Sequence, residues 1–132
     1  MIAFTIPGKP FAKQRPRFSR RSGHAFTPGE TVSFERQVGI IASQRFSEPL
    51  SGPVLIQICA VFSPPASASK KRRDDMLGRP HTQKPDLDNI VKAITDGLNR
   101  VAFADDSQIA AIHATKKWGE VAQTVVHVRG LE

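Results

Sequence analysis

The sequence predicts an α/β (α+β) fold in which a small mixed β-sheet packs against two helices. Three observations carry this. Short runs at residues 2–6, 54–62, 109–118 and 124–129 read as strands, with 54–62 rich in Val and Ile and 124–129 in Val. Two intervening stretches, 32–46 and 87–101, place apolar residues three and four apart. The 132 residues suit one domain, 1–132, on a prior of about 100–200 residues each, and neither a repeat nor a boundary interrupts them. The order β-α-β-α-β-β then gives a mixed sheet.

Ile2–Ile6 reads as the first strand, ended by Pro7-Gly8. A basic loop follows near 9–23, with Phe11 and Phe18 interleaved, and His24–Thr27 forms a short extended piece. Pro28-Gly29-Glu30-Thr31 is a helix entrance, with Thr31 or Thr27 as its cap. The helix from Val32 to Phe46 carries Phe34, Val38, Ile41 and Ala42 on one side, and the stretch from Pro49 to Pro53 breaks it. Val54–Phe62 is too short for a typical helix and reads as a central strand. Pro64-Pro65 opens a second basic loop, 63–85, expected to be flexible.

In the second helix, Leu87 to Val101, the residues Ile90, Val91, Ile94, Leu98 and Val101 share one face. Asp88, Lys92, Thr95, Asp96 and Asn99 lie opposite, and Asp96 reads as solvated. A turn at Asp105-Asp106-Ser107 leads into strand Ile109–Trp118. Thr124–Arg129 is the last strand, and Gly119-Glu120 suits a hairpin between the two, which would pair the strands bearing His113 and His127.

Nineteen Lys and Arg against twelve Asp and Glu give a formal charge of +7, which points to nucleic acid as partner. The cations gather in two proline-tethered segments, Lys9, Lys13, Arg15, Arg17, Arg20 and Arg21, then Lys70, Lys71, Arg72, Arg73, Arg79 and Lys84. Like charges so concentrated repel unless an anion lies between them. The lone cysteine, Cys59, rules out an intrachain disulfide framework and fits a reducing compartment; it reads as buried and inert. No apolar run approaches the roughly 18–20 residues of a membrane span, and Pro7-Gly8-Lys9 interrupts any signal-like start, so the expectation is a cytoplasmic protein without a membrane partner. His24, His81, His113 and His127 show no zinc spacing. Trp118 reads as a packing residue, and one of Lys116 and Lys117 is expected to face the active-site edge.

Five of the twelve acids fall between Asp86 and Asp106. Carboxylates on a phosphate-binding surface repel their ligand unless a cation joins them, and Mg²⁺ characteristically uses one or two carboxylates with water and phosphate oxygens. A right-handed return after the helix is expected to bring Asp105-Asp106 back to the edge bearing Asp86 and Asp88. Each residue has a second reading. Asp86 or Asp88 fits a helix N-cap, Asp105-Asp106-Ser107 is ordinary turn composition, and Lys92 fits an i, i+4 surface pair with Asp88.

The segment Lys84-Pro-Asp-Leu-Asp-Asn-Ile-Val-Lys92, continued by Ala93-Ile-Thr-Asp-Gly-Leu98 and Asp105-Asp106-Ser-Gln108, closely resembles the RusA family of Holliday junction resolvases. Gly8-Lys-Pro, Lys13-Gln-Arg-Pro-Arg-Phe18 and Thr27-Pro28 resemble its phage-type branch. The resemblance implies a RusA-like fold and a homodimeric, Mg²⁺-dependent endodeoxyribonuclease. Such an enzyme cuts four-way DNA junctions by paired symmetric nicks in recombination and repair, without a small-molecule cofactor. By motif position, Asp86, Asp88 and Asp106 are its metal-binding and catalytic carboxylates, Lys92 is the catalytic lysine, and Asp105 is a further metal-ligand candidate. Some members carry a basic residue directly before the first aspartate; here Pro85 stands there and Lys84 precedes it. Lys13, Arg15, Arg17, Lys70, Lys71, Arg72, Arg73 and Lys84 would hold the DNA backbone. Two rival readings stand beside this one: a non-catalytic nucleic-acid-binding protein, and a nuclease of the same fold acting on other branched DNA.

Overall fold

The structure is a computed structural model describing residues 1–132. Strands β1 (Ile2–Pro7), β4 (Val54–Phe62), β5 (Ile109–Trp118) and β6 (Gln123–Gly130) form one sheet in the order β1-β6-β4-β5. The two-residue strands β2 (Arg17–Phe18) and β3 (Ala25–Phe26) pair separately within the first basic loop. Strand β4 runs parallel to β5 and antiparallel to β6, so the sheet is mixed and β4 is internal, as its Val- and Ile-rich composition requires. Its inward residues Val54, Ile56, Ile58, Ala60 and Phe62 are all buried.

Helices α1 (Gly29–Ser43) and α3 (Leu87–Leu98) cover one sheet face. Val38 and Ala42 of α1 and Ile94 and Leu98 of α3 join Phe4, Val126, Val128 and Phe103 in the main core. Gly97 makes the helix crossing close. A Cβ there would lie 2.7 Å from the Val38 Cβ and 3.2 Å from the Glu35 carbonyl oxygen. Only a residue without a side chain admits that approach.

The expected α+β class holds, and four local expectations change. First, β5 and β6 do not form a hairpin, because β4 lies between them and pairs with both. Gln57 of β4 therefore separates His113 from His127, and the turn after Trp118 crosses the end of β4. Second, the 63–85 segment is not wholly loop. Helix α2 (Lys70–Met76) forms there because the Ser69 hydroxyl caps it, accepting from the Arg72 N–H at 3.2 Å, and Lys and Arg are good helix formers. Third, α1 starts at Gly29 after Pro28, with no side-chain cap. Thr31 is instead buried and exchanges hydrogen bonds with Gln14 at 3.2 Å. Fourth, Thr95 is buried on α3, and its hydroxyl is satisfied by the Lys92 carbonyl at 3.2 Å.

Candidate active site

The carboxyl end of β4 and β5 gathers the first half of the acidic cluster. Gly78 and Arg79 pair with Trp118, and the His81 N–H with the Lys116 carbonyl, so residues 78–81 lie along the end of β5. The Lys116 ammonium donates to the Gln83 and Pro85 carbonyls at 2.7 and 2.8 Å, which fixes the chain just before α3. Of the Lys116-Lys117 pair, Lys116 is thus the one that reaches the segment before α3.

Asp86 occupies the N-cap position of α3, yet its side chain makes no cap hydrogen bond. Both of its oxygens are taken by the Lys84 ammonium, at 2.8 and 2.9 Å, and that contact holds the Asp86 carboxyl below the usual range. Lys84 is 84% exposed, so it holds the carboxylate loosely. Asp88 is exposed in the first turn and accepts from the Asn89 N–H at 2.9 Å. Lys92 follows one turn later. It pairs with Asp96 at 3.0 Å, not with Asp88.

Asp96 is not solvated. Its side chain, 19% exposed, receives the Lys13 and Lys92 ammonium groups, and Lys13 also reaches Glu35 of α1 at 3.1 Å. Burial works against the Asp96 carboxylate, but hydrogen bonds from the two lysines outweigh it and hold the group below its ordinary value. The same contact with Asp96, opposed by burial and aided by Glu35, raises Lys13. Together with the Lys13 N–H bond to the Asn89 carbonyl at 2.9 Å, this ties the first basic segment to α3. Lys13 is thus engaged by carboxylates, whereas Arg15, Arg17, Lys70, Lys71, Arg72 and Arg73 belong to no ion pair.

The second half of the cluster lies elsewhere. Asp105 caps a single 3₁₀ turn, accepting from the Ser107 N–H at 3.0 Å, and Gln108 returns a bond to the Asp105 N–H. The Gln108 side-chain amide also donates to the Leu50 and Gly52 carbonyls, at 2.9 Å each, just before β4 begins. Asp105 and Asp106 therefore stand at the amino end of β4 and β5. Asp86 and Asp88 stand at the carboxyl end, roughly 20 Å away along seven residues of strand. The expected return to one edge does not occur within a single chain, because α3 runs the length of the sheet before the chain turns into β5. No group of three His, Cys, Asp or Glu side chains in the chain is arranged to hold a metal ion.

Asp86 and Asp88 still suit a hard cation. Both are exposed, both supply oxygen only, and the Lys84 ammonium already occupies Asp86 as a cation. The family model for RusA endodeoxyribonuclease matches residues 7–129, which include both aspartates and the Asp105-Asp106 turn. The chain belongs to the RusA family. It is also 36% identical, over 97% of its length and 95% of the relative's, to a Bacillus subtilis (strain 168) protein named "Uncharacterized protein YqaN". Membership in RusA makes the protein one of a family of endonucleases. No helix is long and apolar enough to cross a membrane.

Beside this candidate site lie residues that the sequence presented singly. Phe62, His81 and Trp118 are far apart in the chain, yet β4–β5 register and the 78–81 segment stack them together. Only the parallel pairing of β4 with β5 reveals this, and no spacing rule signals it.

Proposed function

We propose that the chain, acting as one endonuclease domain in the cytoplasm, is a Mg²⁺-dependent enzyme that resolves four-way (Holliday) DNA junctions by paired symmetric hydrolysis during recombination and repair. One observation carries the reading: two exposed, oxygen-only carboxylates stand at the start of α3, with the Lys84 ammonium on Asp86 and Lys92 one turn after Asp88. Asp86 and Asp88 would hold the cation, which when bound neutralises charge on the scissile phosphate and acidifies water. Lys84, which bonds Asp86, would be placed to bind a phosphate oxygen were a cation held there. Lys92, steadied by Asp96, presents its ammonium one turn after Asp88, where negative charge develops on the phosphate or the leaving oxygen. Arg15, Arg17 and the α2 cations Lys70, Lys71, Arg72 and Arg73 contact the DNA backbone.

The distance between the two halves of the acidic cluster supports a homodimer. The outer edge of β5, opposite β4, is covered by residues 78–81 only near 116–118, leaving 109–115 unpaired on that side, and Ile112 there is 45% exposed. Antiparallel pairing of β5 with its copy about a two-fold axis near Ile112 sets the amino end of one strand against the carboxyl end of the other. Asp106 of one protomer then approaches Asp86 and Asp88 of its partner, and two such sites match the two strands of a near-symmetric junction.

Mixing inactive variants tests the arrangement. Asp88→Asn and Asp106→Asn homodimers should each fail to cut a labelled four-way junction in Mg²⁺. Their co-refolded mixture should nick it, because a heterodimer then contains one fully native site. Nicking should be single rather than paired. If the mixture stays inert while wild type cuts, each site is built within one chain. If wild type binds but never nicks with Mg²⁺, the protein binds nucleic acid without catalysis. Equal cutting of forks and flaps would assign it to other branched DNA.

A further inference from the structure

The carboxyl end of the sheet also holds a cavity of about 270 Å³, lined by Lys9, Phe62, Pro65, His81, Lys84 and Trp118 among others. The His81 ring stacks on Phe62, with centroids 3.9 Å apart and planes 15° apart, and tilts against Trp118 at 4.5 Å and 54°. His81 is only 5% exposed, and its Nδ1 is buried with no hydrogen-bond partner. Buried polar atoms are nearly always satisfied, so an orphaned nitrogen on a residue that lines a cavity points to a ligand. Burial, helped by the positive charges of Lys116 and Lys9, lowers the His81 pKa and keeps the ring neutral near pH 7. A neutral imidazole both donates and accepts.

The lining also defines the ligand class. Flat aromatic walls beside lysines are what single-stranded nucleic acid requires, the base stacking on the rings and the phosphate meeting the cations. The volume lies below the range of about 300–1,000 Å³ typical of drug-sized ligands and suits one flat ring system. Position adds a third constraint: Lys84 lines the cavity while its ammonium bonds Asp86, so one side chain joins the cavity to a candidate metal-binding carboxylate.

We infer that this cavity receives one unstacked nucleobase of the DNA strand at the cleavage site, held by Trp118 and His81, with Lys9 on the adjoining phosphate. The inference rests on the DNA-cleaving reading and deepens it: base preference at the cut is exercised here, on a base taken out of the stack. Extrusion is easiest where stacking is already broken, as at a branch point.

Trp118 is the only tryptophan, so its fluorescence reports on the cavity. Short single-stranded homopolymers of each base are titrated against the full-length protein in EDTA, where no cutting occurs. At least one should quench Trp118, and the affinities should differ among the bases. His81→Phe keeps the stacked plane and removes the nitrogens, so it should fold and bind all bases within about threefold of one another. Lys9→Gln should weaken every base alike. In Mg²⁺, junctions differing only in the bases at the branch should be cut at different rates by wild type and at nearly equal rates by His81→Phe. Quenching without any junction cutting would leave the base cavity standing and overturn the nuclease reading. Cutting without quenching, or a His81→Phe enzyme with wild-type base preference, would overturn the cavity inference alone.

Discussion

Replacing Lys13 separates a tethering role from a DNA contact. The Lys13 ammonium lies 3.1 Å from Glu35 and within bonding distance of Asp96, with its side chain 25% exposed. At an effective dielectric of about 20, one such contact contributes about 5 kcal/mol before desolvation and side-chain entropy are subtracted. Exposed pairs retain about 0–1 kcal/mol net, and breaking a buried pair costs about 3–5 kcal/mol. In Lys13→Ala the Asp96 carboxylate keeps Lys92 and Glu35 keeps partial solvent access, so neither acid is orphaned. The expected cost is about 2 kcal/mol, seen as a fall in Tm of roughly 6–10 °C by thermal melting. The salt dependence of junction binding should not move, because an ammonium committed to two carboxylates releases no phosphate counterion. By contrast, Arg15→Ala and Arg17→Ala should leave Tm nearly unchanged and each reduce the slope of log K against log salt by about 0.9. A Lys13→Ala protein with wild-type Tm and a slope reduced by one phosphate would refute the reasoning.

Three further outcomes follow from the same contacts. Asp88→Asn should lose Mg²⁺-dependent nicking while binding four-way DNA as tightly as wild type or tighter, measured by gel shift in EDTA, because one anion facing the DNA is removed. Gly97→Ala should destabilise by up to about 2 kcal/mol in urea unfolding, since an overpacking cost of about 1–3 kcal/mol is set against a helix-propensity gain of about 1 kcal/mol; a more stable variant would show that α1 yields at Val38. The folded-state pKa of Asp96 is held below its unfolded value near 3.8, so its contribution is present above that pH and fades as pH falls through the lower, folded value. Wild type should therefore lose Tm more steeply than Asp96→Asn on acidification below about pH 4.

Much of the fold was legible because its signals are local. Strand β4 and helix α3 appear within a residue or three of their expected bounds, since a Val/Ile run and a one-sided apolar stripe are properties of neighbouring residues. The pairing of strands was not legible in the same way. Gly119-Glu120 is good turn chemistry, yet the chain spans β4 there instead of folding back on β5. Which strand lies beside which depends on burying the most apolar strand between two others, and no short window contains that competition.

The site divides along the same line. By itself the sequence determined that a basic protein carries an unusual carboxylate cluster, that Asp86 and Asp88 open a helix, and that the motif is a RusA motif, because spacing and residue type are written in order along the chain. Tertiary structure alone decided that Lys13 serves α3, that Asp106 stands at the far end of the sheet from Asp86, and that Phe62, His81 and Trp118 enclose one cavity. These are distances between residues many positions apart. They are set by the direction in which each strand and helix crosses the sheet, and no short stretch of residues encodes that direction by itself.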